Sequence, residues 1–506
     1  MRPAGVFRDG IARLQKYLSP GAGKRDNIPA TMSGLCGTCA ATGSADRWGQ
    51  LGRGVRRDNG GGSNGNRHRL RYERSRLVQP RHARPVGLAQ PSETLKLQTQ
   101  DTSRSQELLK KAFELIPSAT QTFSKGPNQW IRGVSPAFLE RGEGAWVWDV
   151  DGNRYLDYLM ALGPIILGYG NDAVCNAVAD QFRRGPVFSQ MHPLEVEVSQ
   201  MLIDRIPCAE MVRFGKSGSD VTAAAVRAAR AYTKRERIVY CGYHGWLTES
   251  FVYNDLNSLE ALFAAHPGEI AAVIMEGVGV EMPEDDFLEK VNKLAHREGA
   301  LFIVDEIING FRLSWGGAHE LLGFTPDLAC YGKAMGNGAP ISAVVGRRDV
   351  MEIFDDIFFS GTFGGDAVSL AACKATIEEI ERGAVFEHIW EYGERLSAGI
   401  RERVDRYGLG DAVKLIGYDA RSILAFPHKD EETARLRRSY FMQECHKKGL
   451  LFFGPHLITS CHGDEELEFT LNVYDGVMAS FAAAFQADDF QARMDGPIVE
   501  PIFRKP

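Results

Sequence analysis

Four short apolar runs constrain the fold of this 506-residue chain more than any other feature: Arg237-Ile238-Val239-Tyr240, Ala271-Ala272-Val273-Ile274-Met275, Ala300-Leu301-Phe302-Ile303-Val304 and Ile341-Ser342-Ala343-Val344-Val345. Each is continuous rather than alternating, the pattern of a strand buried on both faces, as in a mostly parallel sheet covered by helices. Between two of them Phe287, Val291, Leu294 and Ala295 recur at helical spacing and Gly299 ends the helix. From Pro193 to about Val350 the chain therefore reads as an α/β domain with a mostly parallel sheet.

The remainder is organised around that unit. A helix begins near Ser105, with Leu108, Leu109, Ala112, Phe113 and Leu115 in phase and Pro117 as its stop. A hairpin follows: Trp146-Val147-Trp148-Asp149-Val150, the turn Asp151-Gly152-Asn153, then Tyr155-Leu156-Asp157-Tyr158. After Ala371 the pattern is helical to about Arg406, then mixed, with a strand at 422–426 and a last helix around 466–485. The expected division is a leader over 1–104, the first part of a small α+β domain over 105–165, a large domain over 166–350, an interface segment with the rest of the discontinuous small domain over 351–486, and a tail over 487–506.

Charge separates the leader from the rest. The formal net charge of -6 combines about +12 over residues 1–100 with about -18 over the remainder. The leader is rich in Gly, Arg, Ser and Asn and carries too little apolar periodicity to offset its ordering entropy, so disorder is expected, with an organellar transit peptide as a further reading. Nothing in the overall charge points to nucleic acid or an anionic membrane, and no apolar run approaches the roughly 20 residues that span a bilayer. Cys36 and Cys39 form a CxxC with no second pair, so two free thiols are expected rather than zinc. Cys175, Cys208, Cys241, Cys330, Cys373 and Cys445 read as small buried side chains and Cys461 as a loop thiol, which suits a reducing, cytoplasmic location.

Ligands of an open α/β sheet gather at the carboxyl ends of its strands, and three such ends carry chemistry. Phe214-Gly215-Lys216-Ser217-Gly218-Ser219-Asp220 runs into an Ala-rich helix and forms either a phosphate cup or a plain helix cap by Ser219 or Asp220. Asp305-Glu306 ends a buried strand, where a carboxylate needs a cationic partner unless it caps a loop. Lys333 follows Leu328-Ala329-Cys330-Tyr331-Gly332 and precedes Gly336-Asn337-Gly338, leaving room for a ring beside an amine that would otherwise be an ordinary surface lysine. Cup, acid and lysine together are the three anchors of a pyridoxal 5'-phosphate site.

With Trp148-Asp149-Val150-Asp151-Gly152-Asn153, Ser217-Gly218-Ser219-Asp220, Tyr243-His244-Gly245, Asp305-Glu306-Ile307, Gly310-Phe311-Arg312, Tyr331-Gly332-Lys333 and Gly361-Thr362-Phe363-Gly364-Gly365 in this order, residues 107–480 resemble the class III (fold type I) aminotransferases, nearest the glutamate-1-semialdehyde 2,1-aminomutase-like branch. The resemblance implies a large cofactor domain with a mostly parallel sheet and a smaller discontinuous α+β domain. It implies that Lys333 holds pyridoxal phosphate as a Schiff base, that Asp305 pairs with the pyridinium nitrogen, and that Tyr243 and Ile307 cover the two faces of the ring. It further implies that Ser217, Gly218 and Ser219 bind the phosphate and that Thr362 reaches the phosphate of a second subunit, which calls for a homodimer. The partners it implies are an amino-acid donor and a carbonyl acceptor, a keto-sugar or another small metabolite, in a ping-pong exchange.

Two departures from the resemblance shape the expected chemistry. The aminomutases carry an arginine near their start that is associated with the substrate carboxylate, and the corresponding segment here, 120–130, has none, which argues against a glutamate-semialdehyde substrate. The stretch after Gly245 is short for the family, and Glu276-Gly277 replaces the usual Glu-Pro, which points to a reduced lid. An aminomutase and a catalytically silent cofactor-binding homologue are the alternatives to an aminotransferase.

Overall fold

The computed structural model describes residues 101–242 and 249–500; the leader up to residue 100 lies outside them. The first helix spans Ser103–Leu115, starting two residues before the expected point, and buries Leu109 and Ala112. Its N-terminus is capped from a distance: Asp151, in the hairpin turn, accepts the backbone N–H groups of Arg104 at 2.7 Å and Ser105 at 3.0 Å. A carboxylate at a helix N-terminus satisfies donors the helix cannot and sits favourably in its dipole.

The strands here are β1 (Leu139–Glu143), β2 (Trp146–Asp149) and β3 (Arg154–Asp157): β2 and β3 form the expected hairpin, and β1 adds antiparallel to β2. Then come β4 (Met211–Gly215), β5 (Arg237–Cys241), β6 (Glu249–Ser250), β7 (Ile270–Glu276), β8 (Leu301–Asp305), β9 (Leu328–Tyr331) and β10 (Ser342–Gly346). These seven form one sheet in the order β4-β10-β9-β8-β7-β5-β6. From β9 to β6 the neighbours are parallel, whereas β10 runs antiparallel to both β9 and β4. The α/β class is as expected, yet the apolar run at 341–345 is the antiparallel strand. Continuous apolar sequence reports burial on two faces and is silent on direction.

Helices cover the sheet on both sides. On one, Gly218–Thr233 packs Val221, Ala224, Ala225 and Ala228 against β7, β8, β9 and β10. On the other, Phe287–Arg297 buries Phe287, Leu288, Val291, Leu294 and Ala295, the larger of them contributing roughly 2 kcal/mol each. Gly299 closes that helix at φ +71°, where a side chain would also meet the Arg235 guanidinium at 2.8 Å.

Beyond the sheet come the helices Ala367–Arg382 and Val385–Arg406, the hairpin of β11 (Lys414–Tyr418) and β12 (Arg421–Ala425), and the helix Glu431–Lys447. The short strand β13 (Leu450–Leu451) then adds in parallel to β3, so that a late segment completes the first hairpin's sheet. The helix Asp464–Ala487 follows. The segment expected to be a tail packs down as far as residue 500: Val499 is buried and donates its N–H to Ser439 Oγ, and Glu500 donates to the Asn128 carbonyl. Cys175 is exposed, contrary to the buried thiol expected there, while Cys208, Cys241, Cys330, Cys373 and Cys445 are buried. Among the described residues no helix is long and apolar enough to cross a membrane.

Candidate functional site

The carboxyl ends of β7, β8 and β9 lie side by side, with Glu276 opposite Asp305 and Asp305 opposite Cys330 in the strand register. Two residues beyond Tyr331, the last of β9, stands Lys333, with φ +38°, a backbone conformation that lysine adopts only where its surroundings impose it. Its side chain lies deep in the protein while part of the residue remains accessible, the combination found in a cleft wall. Burial pushes its amine below the usual lysine range; the nearby carboxylates of Asp305 and Glu276 oppose that shift and the guanidinium groups of Arg421 and Arg312 add to it. Among the described residues Nζ makes no hydrogen bond. A buried amine with a lowered pKa is neutral more often, and so is a better nucleophile and a better base.

Asp305 and Glu306, adjacent in sequence, divide into two roles. Glu306 is fully buried and accepts the N–H groups of Ala318 and His319 at 2.9 Å each, capping the short helix Ala318–Leu322. It is the loop-capping acid that the sequence left open as a reading for the pair. Asp305 faces the other way along the strand, is buried at the end of β8, and accepts the Ile307 N–H at 2.9 Å.

Ile307 links the lysine to the phosphate segment. A β-carbon added to Gly218 would lie 2.6 Å from Ile307 Cδ1, and one added to Gly332 would lie 3.6 Å from Ile307 Cγ2. The three strand ends singled out in the sequence thus converge around one isoleucine. In the cup, the N-cap is Ser217, not Ser219 or Asp220: its hydroxyl accepts the Asp220 N–H, and the Asp220 carboxylate accepts the N–H groups of Lys216 and Ser217. The next two N–H groups, of Gly218 and Ser219, have no acceptor among the described residues, so the helix start offers two free donors and a positive dipole end. Lys216 pairs with Asp366, the N-cap of the helix Ala367–Arg382.

The free cup donors, the buried amine, the strand-end carboxylate and the glycine-lined isoleucine between them fit the phosphate, carbonyl, ring nitrogen and ring face of pyridoxal phosphate. Other expected residues stand apart. Thr362 is exposed, between exposed Gly361 and Phe363, and makes no hydrogen bond among the described residues. Tyr243, with the rest of Tyr243-His244-Gly245, lies outside the described residues.

The structure also gives roles to groups to which sequence reasoning assigned none. The segment Met160-Ala161-Leu162-Gly163 has four successive positive φ angles, and a β-carbon on Gly163 would sit 3.6 Å from Lys333 Cδ. Buried Asp157 supports this segment, taking N–H groups from Leu159 and Met160 and the Tyr169 hydroxyl. Arg312 is fully buried, its guanidinium bound to the carbonyls of Ile458, Gly163 and Ile165.

Comparison with known proteins places the chain in a family. The pattern of the family described as aminotransferase class-III matches residues 131–255 and 247–468. The chain is 36% identical over 399 residues to a 3-aminobutyryl-CoA aminotransferase of Cloacimonas acidaminovorans, covering 73% of this chain and 95% of that one. It is 34% identical over 422 residues to a glutamate-1-semialdehyde 2,1-aminomutase of Alkaliphilus oremlandii, covering 72% and 98%. Among solved structures it superposes on the internal aldimine form of the FumI protein of Sphingopyxis sp. MTA144 with a TM-score of 0.72 and 28% identity, over 79% of this chain and all of the other. On this evidence the chain belongs to the class III aminotransferases, enzymes that work with pyridoxal phosphate.

Proposed function

We propose that the protein is an aminotransferase that moves an amino group from an amino-acid donor to a carbonyl acceptor, a keto-sugar or another small metabolite, in two half-reactions. The observation that carries this reading is the buried Lys333 amine, held below its ordinary pKa at the end of β9, one strand from the Asp305 carboxylate. When bound, pyridoxal phosphate supplies the electron sink that stabilises charge on the substrate's α-carbon. This chain's residues do the rest. The Gly218 and Ser219 N–H groups hold the phosphate with Ser217 shaping the cup, Asp305 keeps the proton on the ring nitrogen, and Ile307 covers one ring face with Tyr243 opposite. Lys333 Nζ first anchors the cofactor and then, once freed, carries the proton to and from the substrate's α-carbon.

In this reading the domain over 166–350 holds the cofactor and the discontinuous domain of 105–165 with 351–486 closes over it. The working unit is a homodimer in which Thr362 completes the partner's phosphate site. Supporting the dimer, Phe182, Phe188, Met191, Phe358 and Phe363 expose about half or more of their surface on two neighbouring segments, joined where the Ala367 N–H meets the Pro186 carbonyl. Apolar area of that kind is expected beneath a partner. Mixing Lys333→Ala chains with Thr362→Ala chains tests the shared site, because about a quarter of full activity returns if each site draws on both subunits and chains exchange at random. Turnover of a single amino substrate with no 2-oxo acid present would instead identify an aminomutase.

A further inference from the structure

Arg421, the first residue of β12, places its head group among the densely packed atoms of the interior while part of the residue stays accessible, as Lys333 does. Its Nη1 donates to the Val278 carbonyl at 3.1 Å and to Asn309 Oδ1 at 3.0 Å. Asn309 is itself fixed by a 2.9 Å bond to the same carbonyl. Val278 lies two residues past Glu276 at the end of β7, and Asn309 four residues past Asp305 at the end of β8. The guanidinium is therefore tethered at the mouth of the crevice that holds Lys333, close enough that its charge depresses the lysine amine.

Among the described residues the rest of the guanidinium has no partner: Nε is buried without an acceptor, Nη2 makes no hydrogen bond, and no carboxylate comes within ion-pair distance. An isolated buried cation with orphaned donors is costly, and its cost is explained when a ligand supplies the missing anion. Burial accordingly holds the Arg421 guanidinium below its usual range, with Glu276 the nearby charge that opposes the shift. The other arginine acting on Lys333, Arg312, shares the orphaned Nε but differs in being fully enclosed, with both its terminal nitrogens bonded to carbonyls.

We propose that Arg421 is the substrate-carboxylate anchor of this enzyme, fixed through Nη1 and receiving the carboxylate of the amino substrate on its Nε and Nη2 donors. A carboxylate takes two parallel N–H bonds from one guanidinium edge, so the contact sets the substrate's orientation as well as its affinity. Arg421 then does, from the opposite part of the chain, what the arginine missing from residues 120–130 does in the aminomutases. This inference rests on the aminotransferase reading above and assigns the donor to carboxylate-bearing amines.

The test compares wild type with Arg421→Gln and Arg421→Lys, each loaded with pyridoxal phosphate and first checked for its Lys333-dependent absorption band. The first-half-reaction rate at limiting substrate is then measured with glutamate, β-alanine and isopropylamine, and glutarate binding by calorimetry. Arg421→Gln should lose about 100-fold with the two carboxylate donors and in glutarate affinity, leave isopropylamine unchanged, and Arg421→Lys should fall between. An equal loss with all three amines, or none with the carboxylates, overturns the assignment and leaves Arg421 a structural tether. If wild type lacks the band, the aminotransferase reading is what fails, and glutarate binding still decides the role of Arg421.

Discussion

Gly218 and Ile307 approach so closely that a β-carbon on the glycine would lie 2.6 Å from Ile307 Cδ1. One residue thereby begins the helix Gly218–Thr233 and also sets the position of the side chain that stands between that helix start and Lys333.

That contact predicts a separation of stability from binding in Gly218→Ala. The backbone at 218 is helical, where alanine is favoured over glycine by up to about 1 kcal/mol, and Ile307 can turn its terminal methyl aside. The turned methyl intrudes on the space for the ring. The melting temperature should stay constant or rise while affinity for pyridoxal phosphate falls roughly tenfold, a methyl-sized clash being worth 1 to 3 kcal/mol. Differential scanning fluorimetry without cofactor and a cofactor titration read the two effects separately.

Asp157 should matter for stability beyond its one side chain. Its carboxylate accepts two backbone N–H groups and the Tyr169 hydroxyl beside the left-handed segment at 160–163. Asp157→Ala leaves two buried N–H groups and the partly buried Tyr169 hydroxyl unsatisfied and should cost about 3 kcal/mol or more in urea unfolding. It should also slow turnover, since that segment packs against Lys333. Unaltered stability would mean that the segment holds its conformation without the carboxylate.

Three buried histidines predict acid sensitivity. Burial pushes His446 down to about 4 and His456 and His462 down to about 3. Between pH 6.5 and those values the unfolded chain binds more protons than the folded one, so their stabilising effect, complete above pH 6.5, is lost as pH falls. Each adds a slope of up to about 1.4 kcal/mol per pH unit. Urea midpoints at pH 7.5, 6 and 5 should drop with increasing steepness, and a flat profile to pH 5 would contradict neutral burial of these rings.

Lys333→Met should stabilise the cofactor-free protein near neutral pH. Because burial lowers the folded pKa of the amine, the charged lysine costs stability in full below that pKa, and the cost vanishes as pH rises through the ordinary lysine value of 10.5. The variant's advantage in melting temperature should therefore shrink between pH 7 and pH 10. An advantage independent of pH would assign it to packing instead.

Much of the fold was legible because burial leaves a direct trace in apolar runs, and the three strand ends that meet around Ile307 stood out because small residues flank them. What escaped is instructive in physical terms. The direction of β10 depends on its pairing with β4, whose sequence Met211-Val212-Arg213-Phe214-Gly215 is only half apolar, so no local pattern encodes it. The separate duties of Asp305 and Glu306 follow from strand alternation, which sends neighbouring side chains to opposite faces. Arg421 follows Asp419 and Ala420 in a hairpin turn, where an arginine looks like a solvated charge; only the distant anchors Val278 and Asn309 bring it to the lysine. The packed segment 490–500 relies on partners as remote as Asn128 and Ser439.

The most direct test of the account is the absorbance spectrum of the protein with pyridoxal phosphate, beside Lys333→Ala, before and after adding an amino donor. The expected result is a band at roughly 420 nm that requires Lys333 and gives way, on donor addition, to one at roughly 330 nm. Identical spectra for wild type and Lys333→Ala would contradict it.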